Sequence, residues 1–248
     1  MKPKVIAIVP AGGSGRRMQS RSPKQYLLLN GKPVLVHTLL KLQQSPFIDD
    51  ILLVVPESDI FFVQENMEGP YQLTKIRDVI AGGKERQDSV KNGLTRAGDE
   101  YDVVVIHDGV RPLVTDEIIF GVIRESMRCG AAIAGVPARD TVKEVSPDGS
   151  ISRTLDRDRI WMAQTPQAFQ RGIIQEAYQK AAADDFLGTD DASLVERLGI
   201  PVKMIFGSYT NIKITTPDDL ILAEAFLKQA ESDACCPPIF QYPERDKS

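Results

Sequence analysis

Cysteine is scarce in this chain: three in 248 residues, at Cys129, Cys235 and Cys236. The number is odd and the spacing matches no metal site, so a disulfide framework is excluded and a reducing cytoplasm suits the chain best. Long apolar runs are missing too. The N-terminal one is only Val5 to Val9 before Pro10, too short for a signal-peptide core and far below a membrane span. Glycine and proline, 18 and 16 residues, are too few for a collagen-like or low-complexity chain. Charge of either sign is not in large excess: 30 basic against 34 acidic residues leaves −4, which points to neither nucleic acid nor an anionic membrane. Histidine is limited to His37 and His107. What is present is ordinary globular material, 42% hydrophobic and 26% charged, enough for one large domain or two small ones.

The apolar residues are arranged as alternating strands and helices. Val5-Ile6-Ala7-Ile8-Val9 is a continuous β-branched run ending in a Pro and Gly turn, the pattern of a strand buried on both faces. Similar runs lie at 51–55, 103–107, 131–136 and 202–206. Val34 to Leu42 is helical in pattern. Thr115 with Asp116 and Glu117 opens a second helix, whose apolar positions are Ile118, Ile119, Val122, Ile123 and Met127. Thr216, Pro217 and Asp219 provide the N-cap, first turn and capping acid of the last one. The expectation is an α/β fold: three layers, a mostly parallel sheet flanked by helices, with ligands outside the carboxyl ends of its strands. The stretch 139–159 breaks the pattern. It alternates polar and apolar residues around Ser146-Pro147-Asp148-Gly149, so an exposed hairpin is expected, Thr141–Val145 against Ile151–Leu155. A hairpin alone is marginal in water and should pack on something. No repeat or linker interrupts residues 1–233, which are expected to form a single domain including this arm. Residues 234–248 carry three prolines and no periodicity, and are expected to be a loose tail.

The strongest chemical signal follows the first strand: Pro10-Ala11-Gly12-Gly13-Ser14-Gly15-Arg16-Arg17-Met18, then Pro23-Lys24-Gln25. Glycines after a buried strand free backbone N–H groups for close approach to phosphate oxygens. Met18 stands where a dinucleotide fingerprint needs its third glycine, and no Gly-Lys-Ser/Thr closes the loop as in a P-loop. Instead Arg16, Arg17 and Lys24 lie close by. Such a set suits a triphosphate and the pyrophosphate that leaves it; the alternative is a surface turn with solvated charges.

This loop, continued by Pro23-Lys24-Gln25-Tyr26, resembles that of the nucleotidyltransferases that activate sugar or polyol phosphates. It is most similar to the 2-C-methyl-D-erythritol 4-phosphate cytidylyltransferase family of the non-mevalonate isoprenoid pathway. The likeness extends through the segments 82–90 (GGKERQDSV), 107–112 (HDGVRP), 137–141 (PARDT), Asp156-Arg157, Gln164-Thr165-Pro166-Gln167, Thr189-Asp190-Asp191 and Asn211-Ile212-Lys213-Ile214-Thr215. It implies a Rossmann-like nucleotide-diphospho-sugar transferase fold. The reaction it implies joins CTP to the alcohol phosphate and releases pyrophosphate, with Mg2+ held mainly by the CTP phosphates. Arg17 and Lys24 would stabilise the pentavalent transition state, and Arg157 and Lys213 would hold the methylerythritol phosphate. Ala11, Gly12, Gly13, Gly15 and Gly109 would meet the nucleotide, and Gly83 and Ser89 would read cytosine. Asp108 would face ribose or the substrate diol, and could meet Mg2+ through water; Arg111, Thr141 and Thr165 would touch the second substrate. The likeness also implies a homodimer interlocked through the 139–159 arms.

Simpler readings stand beside these. Asp108 and Arg111 could be a local ion pair, Thr165 a turn residue, His107 a packed strand end, His37 a plain helix residue and Cys129 buried filler. A pentitol-phosphate cytidylyltransferase would share the loop and the CTP site. A silent nucleotide-binding protein is the reading from another class, although the presence of Arg17, Lys24, Arg157 and Lys213 together argues against it, since a binding module has no need for cations at a leaving pyrophosphate.

Overall fold

In β1 (Val5–Pro10) alternate side chains enter two different apolar clusters, Val5, Ala7 and Val9 on one side and Ile6 and Ile8 on the other. A strand with both faces covered must lie inside a layered sheet. The coordinates are a computed structural model, and residues 2–13 and 23–235 are described.

After β1 come the short β2 (Leu28–Leu29) and β3 (Lys32–Pro33), then α1 (Val34–Gln44), β4 (Asp50–Val55), α2 (Ile60–Val63), β5 (Ile76–Ala81) and α3 (Arg86–Ala97). The chain continues through β6 (Val103–Ile106), α4 (Asp116–Cys129), β7 (Ala131–Pro137), β8 (Lys143–Val145), β9 (Ile151–Thr154) and β10 (Trp161–Gln170). It closes with α5 (Arg171–Ala183), α6 (Asp191–Glu196), β11 (Lys203–Phe206) and α7 (Pro217–Cys235). The main sheet has seven strands in the order β11-β7-β10-β6-β1-β4-β5. All neighbours are parallel except β10, which runs antiparallel to both β6 and β7. The expected three layers are present. Apolar positions of α1 and α4 cover one face, those of α3, α5 and α6 the other, and a third cluster joins α7 to Leu29, Val34 and Val110.

Two strands escape the pattern of the sequence. β5 is an edge strand whose Arg77 and Asp78 face side chains rather than core: Arg77 Nη1 donates to Tyr101 Oη at 2.8 Å, and Arg96 Nε to Asp78 at 2.6 Å. β10 is polar at its centre, where the pairing register shifts between Ala163 and Gln167. The irregularity turns Gln164 and Thr165 out of the ladder and towards neighbouring loops.

The helix starts divide. Thr216 and Asp219 cap one another, Thr216 N donating to Asp219 Oδ2 at 2.8 Å and Asp219 N to Thr216 Oγ1 at 3.4 Å. Thr115 has the extended backbone of an N-cap, but its side chain makes no cap bond and instead meets the Glu117 carboxylate. The hairpin forms as β8 and β9, shorter than expected, and both strands are exposed throughout. Of the segment expected to be a loose tail, Ala234 and Cys235 instead close α7, and residues 236–248 lie outside the described residues. Cys129 ends α4 half-buried, with Sγ donating to Glu125 O at 3.0 Å. Among the described residues no helix is long and apolar enough to cross a membrane.

Candidate active site

Three turns meet at the carboxyl edge of the parallel strands, where an open α/β sheet offers its ligand crevice: Ala11–Gly13 after β1, Gly82-Gly83 after β5, and 107–111 after β6. Ala11 is anchored by its N–H to Val54 O at 2.7 Å, leaving Gly12 and Gly13 exposed beyond it. A Cβ on Gly13 would stand 3.6 Å from Lys24 Cε, so the lysine stem runs past the glycines as the sequence implies. Gly15, Arg16 and Arg17 lie outside the described residues.

At the second turn, Ser89 accepts from Gly83 N at 3.1 Å and donates to Glu85 O at 3.2 Å. Any side chain on Gly83 would overlap Asp88. The turn is therefore drawn tightly onto the start of α3. The Ser89 hydroxyl proton is already committed within the protein, so what faces outward here is backbone. Gly109 is similarly bound in, its N–H donating to Pro10 O at 3.1 Å and its carbonyl accepting from Thr38 Oγ1 at 3.0 Å.

The third turn carries the charge. Asp108 is buried, and Oδ1 accepts from Arg86 Nε at 2.9 Å while Oδ2 pairs with Lys213 Nζ at 2.7 Å. Arg111 Nε stands at 4.0 Å, at the limit of an ion pair, and its stronger bond runs from Nη1 to Asn211 O at 2.7 Å. Burial opposes ionisation of Asp108, but Arg86, Lys213 and Arg111 together outweigh it and hold the carboxyl far below the usual carboxylate range. Arg86 reaches a second carboxylate, Asp191 Oδ2, at 2.8 Å. Three cations and two anions leave this centre one positive charge in excess before Lys24 is counted.

Thr165 is more than a turn residue. Its Oγ1 accepts from Asp108 N at 3.0 Å and meets His107 Nδ1 at 3.1 Å, while His107 Nε2 meets Arg111 O at 3.2 Å. A carbonyl can only accept, so Nε2 carries the proton of a neutral ring, and Nδ1 accepts from the Thr165 hydroxyl. His107 is thus a packed strand end with both nitrogens used. Burial pushes its pKa down to about 4. The unfolded chain protonates this residue near its ordinary value of 6.5, whereas the folded chain resists until about 4. Stability is full above the higher value and is lost as pH falls towards the lower, by about 3 kcal/mol in total. Urea midpoints measured from pH 7 to pH 4 should fall for the wild type, and the slope should flatten in His107→Gln. Parallel slopes for the two proteins would show that His107 is not the group responsible.

The structure thus brings together Lys24, Asp108, Arg111, Thr165 and Lys213 around the three turns. Thr141 and Arg157 are elsewhere, exposed on the arm, where Arg157 Nη1 donates to Arg139 O at 3.2 Å. Arg86, Asp191 and Tyr178 were not singled out by sequence reasoning. Arg86 lies in the segment 82–90 and Asp191 in Thr189-Asp190-Asp191, yet only the fold reveals that they share a bond.

The fold and this edge define a nucleotidyltransferase, and solved structures of that class resemble it closely. 4-Diphosphocytidyl-2C-methyl-D-erythritol synthase from Anaerococcus prevotii is 34% identical with a TM-score of 0.81, over 92% of this chain and 97% of that one. The 2-C-methyl-D-erythritol 4-phosphate cytidylyltransferase from Francisella tularensis is 35% identical with a TM-score of 0.74, over 90% and 99%. Curated proteins of the latter name include one from Syntrophus aciditrophicus, 72% identical over 231 residues (93% of this chain, 99% of the relative), and one from Geotalea uraniireducens, 51% identical over 232 residues (93% and 99%). The family model for IspD, 2-C-methyl-D-erythritol 4-phosphate cytidylyltransferase, matches residues 5–229, and this chain belongs to that family.

Proposed function

We propose that this chain joins CTP to 2-C-methyl-D-erythritol 4-phosphate, forming 4-diphosphocytidyl-2-C-methyl-D-erythritol and pyrophosphate. The observation that carries this reading is the family match over residues 5–229. The chemistry of the carboxyl edge supports it. An oxygen of the alcohol phosphate attacks the α-phosphorus of CTP and forms the new P–O bond. The bond from that phosphorus to the bridging oxygen breaks, and its electron pair leaves with pyrophosphate. A phosphate monoester has its second pKa near 6, so the nucleophile is largely deprotonated at neutral pH and needs no general base. His107 is neutral and fully bonded, and His37 Nε2 donates to Leu29 O at 2.7 Å. His107, the histidine at this edge, has no nitrogen left to act as a base, so the work left to the protein is positioning and charge.

In this reading Lys24 and Arg17 neutralise the charge that develops on the α-phosphate and the leaving group. Lys213, aligned by Asp108, and Arg157 hold the methylerythritol phosphate, with Arg111, Thr141 and Thr165 beside it. Gly12, Gly13 and Gly83 offer backbone to the nucleotide. Mg2+ fits this donor set only as an ion carried by the nucleotide. No cluster of three His, Cys, Asp or Glu side chains exists among the described residues, and both Asp108 oxygens already face cations. The CTP phosphates and water would supply most ligands, with Asp108 the nearest protein carboxylate, and the ion would withdraw charge from the phosphates.

We further infer a homodimer in the cytoplasm. The arm exposes Val145 (54%) and Ile151 (62%), and Met162 (51%) and Phe206 (59%) are exposed elsewhere. A second copy related by a twofold axis would cover such surface, arm against arm. A panel of alcohol phosphates with CTP and Mg2+, scored by pyrophosphate release, tests the activity. Methylerythritol phosphate should exceed ribitol phosphate, and CTP should exceed ATP, GTP and UTP, in kcat/KM. A reversed polyol order would assign the chain to pentitol phosphates instead.

A further inference from the structure

The segment 186–192 leads from α5 into the first turn of α6 and belongs to none of the three turns of the site, yet it is bonded to α3, which follows the second turn, and to β10, which carries Thr165. Gln87, in the first turn of α3, donates to Phe186 O at 2.9 Å and accepts from Gly188 N at 2.9 Å. Gln167 of β10 donates to Asp190 Oδ2 at 2.8 Å and accepts from Ala192 N at 3.1 Å. Between these clamps Asp191 is buried, 1% exposed. Its Oδ1 accepts from Tyr178 Oη at 2.6 Å, and its Oδ2 pairs with Arg86 Nη2 at 2.8 Å. The other side of the same guanidinium, Nε, holds Asp108.

A buried carboxylate is expensive, and an apolar residue would pack this position more cheaply if packing were its purpose. The arrangement has a geometric consequence instead. A guanidinium is a rigid plane with fixed donor directions, so one engaged by two carboxylates on different elements cannot rotate. Arg86 is 31% exposed along its side chain, and without the second partner it could swing into solvent or fold wholly onto Asp108. Tyr178 fixes the first link. Buried beside Asp191, its phenol is held far above its ordinary pKa and stays a donor at every working pH.

We propose that Asp191, held by Tyr178, is a positioning residue: acting through Arg86, it sets the plane of the Asp108 carboxylate and so the alignment of Lys213 and the polyol end of the site. The inference rests on the cytidylyltransfer reading above. It assigns a role to the Thr189-Asp190-Asp191 motif: a strut that ties the base-side turn at 82–89 to the substrate-side turn at 107–111.

The test is a cycle of Asp191→Asn, Arg86→Lys and the double variant in the full chain, assayed by pyrophosphate release from CTP and methylerythritol phosphate, with melting curves for each. Asp191→Asn should raise KM for the polyol phosphate about tenfold and leave KM for CTP within about threefold. A purely structural defect lowers the active fraction, and with it kcat, but cannot move one KM alone. Because both residues act on one link, the double variant should be no worse than the worse single variant in kcat/KM. Effects that multiply, or a folded Asp191→Asn with unaltered KM for the polyol phosphate, would overturn the proposal. If Asp191→Asn does not fold, Tyr178→Phe decides, with the same KM shift expected at smaller size and wild-type constants overturning the idea. A wild type that released no pyrophosphate would remove the parent reading and this inference with it, whereas an active wild type with a multiplicative cycle would remove only the inference.

Discussion

Lys24→Ala is expected to lower turnover by about a hundredfold or more, the usual cost of deleting an electrostatic stabiliser aimed at developing charge. KM for CTP should move much less, because the triphosphate already carries its ground-state charge and the extra negative charge gathers only on the way to the pentavalent phosphorus. The local structure explains why this lysine can serve. It opens a short 3-10 turn, Lys24–Tyr26, whose other residues are fastened: Gln25 is buried, and Tyr26 donates to Asp59 Oδ2 at 2.8 Å and meets the Phe62 ring edge-on at 5.4 Å. The ammonium stem is thereby carried past Gly13 on a fixed support. Arg17→Ala should behave alike. The measurement is steady-state kinetics with both substrates varied, and near wild-type turnover in both variants would remove this loop from the reaction.

The second large effect is a recovery. Lys24→Ala and Arg157→Ala should each be inactive, and mixing them under conditions that exchange subunits should restore about a quarter of wild-type activity. Random pairing makes half the dimers mixed, and each mixed dimer has one of its two sites with both residues intact. The prediction follows from the homodimer proposed above and from placement. Lys24 sits beside the glycines at the carboxyl edge, whereas Arg157 is exposed on the arm, where its Nη1 donates to Arg139 O at 3.2 Å. The arm's own exposed apolar residues need a neighbour. Subunit exchange is verified by native mass spectrometry of tagged chains, and folding by circular dichroism. No recovery despite exchange and intact folding would mean that each site is completed within one chain.

Much of this is legible in the sequence because the signals are local. β1, β4, β6 and β7 are apolar runs whose burial on both faces needs no partner to be recognised, and the Thr216–Asp219 cap is settled within four residues. The glycine loop with Lys24 announces phosphate chemistry because few other tasks require exposed backbone and cations together. The arm was visible as alternation around a Pro-Asp-Gly turn.

Tertiary structure decided what depends on distant groups. β10 became a strand, antiparallel in a parallel sheet, because Gln164, Thr165 and Gln167 find partners at Ser208, Asp108 and Asp190 that their own neighbourhood does not offer. Local competition decided two further details: the Ser89 hydroxyl is committed to its own turn, and Thr115 meets Glu117 instead of capping α4. Arg86, 22 residues before Asp108 and 105 before Asp191, could not be paired with either by spacing. Composition and periodicity set the layers and the edge where ligands bind. Asp108 was already a candidate by resemblance, but only the fold, by bringing Arg86 and Lys213 to it where water is excluded, surrounded it with cations.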